Sequence, residues 1–310
     1  RHEGKMLPNS MRRAFKDLLE SNKWDAYQLK KYLKANSDVK LRDLVMLTHP
    51  KDNRGLLKGV IDGTIKAPAT LETKLASGEK ASDAFEDMLR ENRLGYMAAV
   101  KNIRNALETG ISDEALDLWV EMITDHRRIA KSRMLPFRYV DAWQAVKNLS
   151  VDTFKLRKVK NAFNQAMIES AWNLEFVTKG EKIALIIDES GSMGEEFNIG
   201  LTMAAVLYHA LPQDDVVVYF FSNTAREVDF GTKMPLDILE SFRPNWGGTY
   251  FDAPLKKMID TGTRVDKIVV FTDMQLYSGG YGNYSDSFTR YLNQYKSRVG
   301  GRVQTLFWDL

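Results

Sequence analysis

The chain has 310 residues, of which 44% are hydrophobic, and its formal net charge is +3 at pH 7. This length and composition suffice for two ordinary domains with their own cores. The sequence contains no cysteine, which excludes disulfides and thiolate zinc sites and favours a reducing, cytoplasmic location. No apolar run reaches the length of a membrane span, and the first twenty residues lack the apolar core of a signal peptide. We therefore expect no contact with a membrane.

Capping residues followed by periodic apolar residues predict helices throughout the first half of the chain. Five of the predicted helices are residues 10–20, 25–35, 38–49, 82–91 and 112–126. Two further helices show a clear apolar stripe, formed by Tyr96, Val100, Ile103 and Leu107 in one and by Leu156, Val159, Phe163 and Met167 in the other. The second stripe places Asn161 and Asn164 on the outward face. Strand signals are nearly absent before residue 182, so we predict a solenoid of helical hairpins.

The charge is divided unevenly along the chain. Residues 1–180 contain 32 Lys or Arg and 24 Asp or Glu, whereas residues 181–310 contain 12 and 17. The basic surplus is concentrated in residues 127–160, which hold ten basic and two acidic side chains. Such a surplus is typical of a surface that binds phosphates, although a solvated helix face can have the same composition.

Three segments of the helical half resemble the TROVE domain. Residues 41–51 (LRDLVMLTHPK), 94–105 (LGYMAAVKNIRN) and 131–138 (KSRMLPFR) occur in the order that is typical of this domain. The resemblance implies helical hairpins of the HEAT type and a role in RNA binding.

After residue 181 the sequence alternates regularly between strands and helices, which predicts an α/β fold with a doubly wound parallel sheet. The predicted strands are residues 182–188, 216–221, 225–230, 267–273 and 302–307, of which the third is a short edge strand. The predicted helices are residues 197–210, 235–242, 252–261 and 285–299. Ligands of such sheets bind beyond the carboxyl ends of the strands.

Side chains with oxygen donors occur where the predicted loops return to that edge. Asp188, Ser190 and Ser192 follow one buried strand at a spacing of two residues, Thr249 follows a glycine pair, and Asp273 ends another strand. One carboxylate and two hydroxyls in the first loop suit a small hard cation. The five residues together resemble the metal-ion-dependent adhesion site of von Willebrand factor type A domains. We therefore predict that they bind Mg²⁺, or Mn²⁺ or Ca²⁺, with one coordination position open to the carboxylate of a partner protein.

A TROVE domain joined to a von Willebrand factor type A domain is the arrangement of the Ro autoantigen family, which nearly the whole chain resembles. We predict a helical domain over residues 1–179 and an A domain over residues 180–310. The resemblance implies a ring of HEAT-like hairpins that binds small noncoding Y RNAs on its outer face and single-stranded 3′ ends of misfolded RNAs in its central hole. The helical part is shorter than a full ring usually requires, so we expect a shortened or truncated member.

Two functions from different classes remain open. The first is a non-enzymatic RNA-binding scaffold that acts in RNA quality control, and the second is a metal-dependent protein-interaction module with no RNA role. The division of charge favours the first, because a protein-interaction module gives no reason for ten basic residues in one short span. The predicted RNA-binding residues are His49, Lys51, Lys101, Arg104, Arg127, Arg128, Lys131, Arg133 and Arg138.

Overall fold

The computed structural model describes residues 8–21, 29, 40–52, 54–65, 70–173, 180–274, 284–299 and 302–310. The chain divides into two compact units, Arg1–Gly78 and Glu79–Leu310. Within the described residues, no helix is both long and apolar enough to cross a membrane.

In its described residues, the first unit has the short helices α1 (Asn9–Glu20), α2 (Leu41–Thr48), α3 (Leu56–Asp62) and α4 (Leu71–Ala76). Its core is formed by Leu19, Leu41, Val45, Leu57 and Val60. Helix α1 begins at Asn9, one residue before the predicted start at residue 10, and ends at Glu20 as predicted. The predicted helix over residues 25–35 lies outside the described residues, apart from Leu29.

The helical part of the second unit consists of α5 (Ala81–Arg90), α6 (Tyr96–Glu108), α7 (Asp113–Thr124), α8 (His126–Ser132), α9 (Phe137–Val146) and α10 (Thr153–Ser170). Trp119 of α7 is fully buried, and its indole N–H donates a 3.0 Å hydrogen bond to the carbonyl of Ala99 in α6. Its ring meets Phe163 of α10 edge to face, with 5.4 Å between centroids. Helices α6, α7 and α10 therefore share one core, and most residues of the two predicted apolar stripes are buried.

A five-stranded sheet follows, with strands β1 (Ile183–Asp188), β2 (Val216–Phe221), β3 (Ala225–Val228), β4 (Lys267–Thr272) and β5 (Gln304–Asp309). Four helices alternate with them: α11 (Glu196–Ala210), α12 (Pro235–Ser241), α13 (Asp252–Thr261) and α14 (Tyr284–Val299). The strand order is β3-β2-β1-β4-β5, and only the β2–β3 pair is antiparallel among the described strands. The predicted doubly wound α/β fold is confirmed. The last strand lies two residues later than predicted, and β3 ends two residues earlier than predicted.

Strand β1 lies between β2 and β4, where the chain connections reverse direction across the sheet. Crevices at such reversal points are the usual ligand sites of open α/β sheets. Ile187 pairs in register with Phe271 of β4, so the next residues along each strand, Asp188 and Thr272, end side by side. The fold thus brings the oxygen donors of two strands to one edge.

The helical part packs directly against the sheet part within the second unit. Asn164 of α10 is 1% exposed, and its Oδ1 accepts a 2.9 Å hydrogen bond from the backbone N–H of Leu236 in α12. The prediction that Asn164 faces outward is therefore wrong, because α12 covers this side of α10. The predicted boundary between residues 179 and 180 stays a prediction, and residues 174–179 lie outside the described residues.

Candidate functional site

Three loops meet at the carboxyl end of the sheet. We name residues 189–195 the metal loop and residues 242–251 the threonine loop; the third loop begins at Asp273, directly after β4. The backbone N–H of Gly191 donates to the carbonyl of Gly247 at 2.9 Å, which joins the first two loops. The backbone N–H of Asp273 lies 3.3 Å from the sulfur of Met193, which joins the metal loop to the third. The five predicted metal ligands are therefore carried by elements that touch one another.

Asp188, the last residue of β1, is fully buried at the centre of this arrangement. Its Oδ1 accepts the backbone N–H of Ser190 at 2.8 Å, and its Oδ2 accepts the hydroxyl of Thr272 at 2.7 Å. The hydroxyl oxygens of Ser190 and Ser192 lie 3.2 Å apart. Sequence reasoning missed Thr272, although its position one residue before Asp273 and opposite Asp188 follows from the parallel register.

Burial is the main cause of a raised pKa at Asp188, and the charge of Asp273 acts in the same direction. Hydrogen bonds from Ser190 and Thr272 lower this pKa but only partly offset the burial. A carboxylate in such surroundings is stabilised by a nearby cation.

The donor set fits a hard divalent cation, because it offers carboxylate and hydroxyl oxygens only. Across the described part of the chain, no three His, Asp or Glu side chains cluster as metal ligands. A cation at this edge would therefore depend on the serine and threonine hydroxyls as well as on Asp188 and Asp273.

Seven of the nine predicted RNA-binding residues belong to the second unit, and His49 and Lys51 belong to the first. Arg127 and Lys131 lie one turn apart on the exposed face of α8, and Arg133 follows that helix in the left-handed region at φ 50°. Lys101 is exposed on α6, which packs against α8. Among the residues that the structure describes, these four cations have no acidic partner within 4.0 Å. Within the second unit, these four members of the set remain available to a phosphate.

Three other members of the set, Arg104, Arg128 and Arg138, have side-chain partners. Arg104 pairs with Glu108 at 3.1 Å, and Arg138 pairs with Asp141 at 3.6 Å. Arg128 is only partly exposed, and its guanidinium donates to the Asn92 side chain at 2.5 Å. His49 ends α2 in the left-handed region, and the backbone N–H of Lys51 donates to Glu20 at 2.7 Å.

The lysines of α10 show that the local basic surplus is partly internal. Lys155 pairs with Asp113 at 3.0 Å, Lys158 pairs with Asp117, and Lys160 pairs with Asp237 at 2.6 Å. The acidic partners are distant in sequence, so the count over residues 127–160 could not include them. The phosphate-seeking surface is consequently smaller than the charge count predicts.

The architecture is that of a helical HEAT-like solenoid followed by a von Willebrand factor type A domain. Residues 63–199 match the protein family described as the TROVE domain. Telomerase protein component 1 of Mus musculus is 31% identical over 86 residues, and that of Rattus norvegicus is 27% identical over 85 residues. Each match covers 27% of this chain and 3% of the relative, so the chain spans only a small part of those proteins.

A solved structure extends the similarity to almost the whole fold. The crystal structure of the Deinococcus radiodurans Ro (RSR) protein matches 98% of this chain and 70% of that chain, with a TM-score of 0.58 and 17% identity. The chain is therefore similar to TROVE-domain proteins over residues 63–199, and its fold is similar to that of the Deinococcus Ro protein.

Proposed function

We propose that this protein is a non-enzymatic RNA-binding scaffold. The proposal depends on four exposed cations that have no acidic partner among the described residues. They are Lys101, Arg127, Lys131 and Arg133, and all four lie within the residues matched by the TROVE domain. Cations on one helical surface attract the phosphate backbone without base recognition. Small noncoding RNAs of the Y type and single-stranded 3′ ends of misfolded RNA are the ligands that we propose, in a role in RNA quality control.

The test measures the affinity for a fluorescently labelled, unstructured RNA oligonucleotide as a function of salt. The variant Arg127→Ala, Lys131→Ala, Arg133→Ala removes three cations from α8 and the turn after it. Each phosphate contact on a single strand contributes about 0.7 to the slope of log affinity against log salt. We expect the slope to flatten by about 2 units.

A matched control removes the same charge from the sheet part of the unit. Lys257, Arg264 and Arg298 are exposed there, so Lys257→Ala, Arg264→Ala, Arg298→Ala changes the net charge equally. The control variant should keep the parent's slope. Equal slopes and affinities for the two variants would contradict the proposed surface.

We also propose that Asp188, Ser190, Ser192, Thr249 and Asp273 hold Mg²⁺. The support is the all-oxygen donor set on loops that touch one another. A bound cation would supply a positive charge to which the carboxylate of a partner protein could bind. Calorimetric titration with Mg²⁺ or Mn²⁺ should show loss of binding in Asp188→Ala and no change in Asp260→Ala, which alters an exposed carboxylate of α13. Unchanged affinity in Asp188→Ala would refute the site.

A further inference from the structure

Glu189 stands between two of the proposed metal ligands, yet its carboxylate is engaged elsewhere. Its side chain is 2% exposed. The guanidinium of Arg226, on edge strand β3, donates to it twice, from Nε at 3.2 Å and from Nη2 at 2.8 Å. A bidentate contact between arginine and carboxylate fixes the relative orientation of the two side chains as well as their distance.

The same carboxylate also holds the threonine loop. Oε2 of Glu189 accepts the backbone N–H of Asn245 at 3.0 Å, four residues before Thr249. The backbone N–H of Glu189 donates to the carbonyl of Phe221 at the end of β2, at 2.8 Å. Glu189 is thus hydrogen-bonded to strand β2, to the edge strand β3 and to the threonine loop.

Arg226 is itself held in place on two sides. Its guanidinium lies over the ring of Phe220, 4.7 Å from the centroid. Nη2 also reaches the carbonyl of Arg243, in the threonine loop, at 3.4 Å. The arginine therefore bridges the two loops as well as supporting Glu189.

The backbone of the threonine loop shows that these bonds constrain it. Trp246 has φ 48°, a left-handed conformation that costs a non-glycine residue on the order of 1 kcal/mol. Such a conformation persists where the surroundings determine it. The hydrogen bonds that flank Trp246 are those of Asn245 with Glu189 and of Gly247 with Gly191.

We propose that Glu189 and Arg226 are positioning residues for the metal centre. They hold the threonine loop against the metal loop, and so set where Thr249 stands relative to Asp188, Ser190 and Ser192. This inference rests on the metal site proposed above. A buried ion pair often stabilises a fold no more than an apolar pair of the same volume, so the distinctive contribution of this pair is geometric.

The experiment measures Mn²⁺ affinity by calorimetry on the whole chain, with Glu189→Gln and Arg226→Lys. Glu189→Gln removes the negative charge, whereas Arg226→Lys keeps the positive charge but loses the bidentate contact. Partners that orient metal ligands typically contribute 10–100-fold to affinity, and we expect a loss of about 10-fold or more in both variants. Unfolding followed by circular dichroism in EDTA reports whether each variant is folded.

Glu181→Gln is the matched control, because it removes the charge that faces buried Lys267 at 2.7 Å, at the opposite end of the same sheet. This variant should lose stability but keep the parent's Mn²⁺ affinity. Parent-like affinity in both Glu189→Gln and Arg226→Lys, alongside loss of binding in Asp188→Ala, would overturn the positioning role alone. Unchanged binding in Asp188→Ala would overturn the metal site and this inference together. If Arg226→Lys is unfolded, Glu189→Gln decides, since it leaves no buried charge unpaired.

Discussion

Lys160 of α10 and Asp237 of α12 form an ion pair, with 2.6 Å between Nζ and Oδ1, that joins the helical part of the second unit to the sheet part. Glu240 accepts from the same ammonium group at 2.9 Å and from the indole N–H of Trp143 at 3.1 Å. Burial alone would lower the pKa of Lys160, but the bonds to the two carboxylates outweigh burial and raise it. The junction between the two parts is therefore charged as well as apolar.

We predict that Lys160→Met destabilises the protein by about 1–2 kcal/mol, between the values typical of exposed and buried ion pairs. The lysine is mostly buried, whereas both carboxylates are partly exposed to solvent. The free energy of unfolding from denaturant titration gives the measurement. Lys158→Met, on the same helix but paired with the more exposed Asp117, should cost less. Equal losses of unfolding free energy in the two variants would mean that the contact of Lys160 with α12 adds no stability.

A second prediction concerns Asn164, which is buried against the same helix. Replacing it with leucine leaves the backbone N–H of Leu236 without its acceptor, which should cost about 1–3 kcal/mol of unfolding free energy. Asn161→Leu is the control, because Asn161 is exposed one turn earlier on α10. Surface changes of this kind usually stay within about 0.5 kcal/mol. Denaturant titration gives the unfolding free energies. Equal losses of stability in Asn164→Leu and Asn161→Leu would contradict the role of Asn164 as acceptor for Leu236.

The helix period could not distinguish these two asparagines. It separates polar positions from apolar ones, but a polar face looks the same whether water or another helix covers it. Asn164 is buried because it supplies the acceptor for the start of α12, which is 72 residues away in sequence. Long-range pairing also explains why Lys155 and Lys158 were counted in the basic surplus. Their partners, Asp113 and Asp117, lie on α7.

The strands were predictable because parallel strands buried on both faces read as unbroken apolar runs. β1 and β4 are buried at every residue, and their predicted bounds differ from the structure by one residue. The oxygen donors at their ends followed from this placement. Glu189 was missed because its role depends on Arg226, and no local pattern connects an edge strand with the loop after β1.

The third prediction is a pH dependence centred on Glu86 of α5. Its carboxylate accepts the backbone N–H of Ser112 at 2.7 Å and the hydroxyl of Ser112 at 2.9 Å, at the start of α7. Burial would raise the pKa of Glu86, but the hydrogen bonds from Ser112 and Arg90 outweigh burial and lower it. A lowered folded-state pKa means that the stabilisation is present above the unfolded pKa and is lost as the pH falls through the folded value.

We therefore expect Glu86→Ala to cost about 2–3 kcal/mol at pH 7, as typical for hydrogen bonds to a charged group. The difference from the parent should narrow as the pH falls below the ordinary range of a glutamate carboxyl and through the lowered pKa of Glu86 in the parent. Unfolding free energies at several pH values provide the measurement. Glu121→Ala, on the exposed surface of α7, should show a small and pH-independent difference. A difference in unfolding free energy between the parent and Glu86→Ala that stays constant down to acidic pH would contradict the hydrogen bonds assigned to Glu86.

The last prediction is that RNA binding does not depend on the metal. The proposed ligands lie on loops at the carboxyl end of the sheet, whereas the proposed phosphate contacts lie on α6, α8 and the turn that follows α8. Chelation with EDTA should therefore change the affinity for unstructured RNA by less than tenfold, or about 1.4 kcal/mol. Asp188→Ala should behave like the chelated parent, because both lack the cation. If chelation lowers the RNA affinity by more than tenfold, thermal unfolding in EDTA distinguishes between two explanations. A larger loss of RNA affinity with an unchanged melting temperature means that the cation contacts RNA. A larger loss with a lowered melting temperature means that the cation holds the A domain, and through α10 and α12 the helices packed on it, in their folded arrangement.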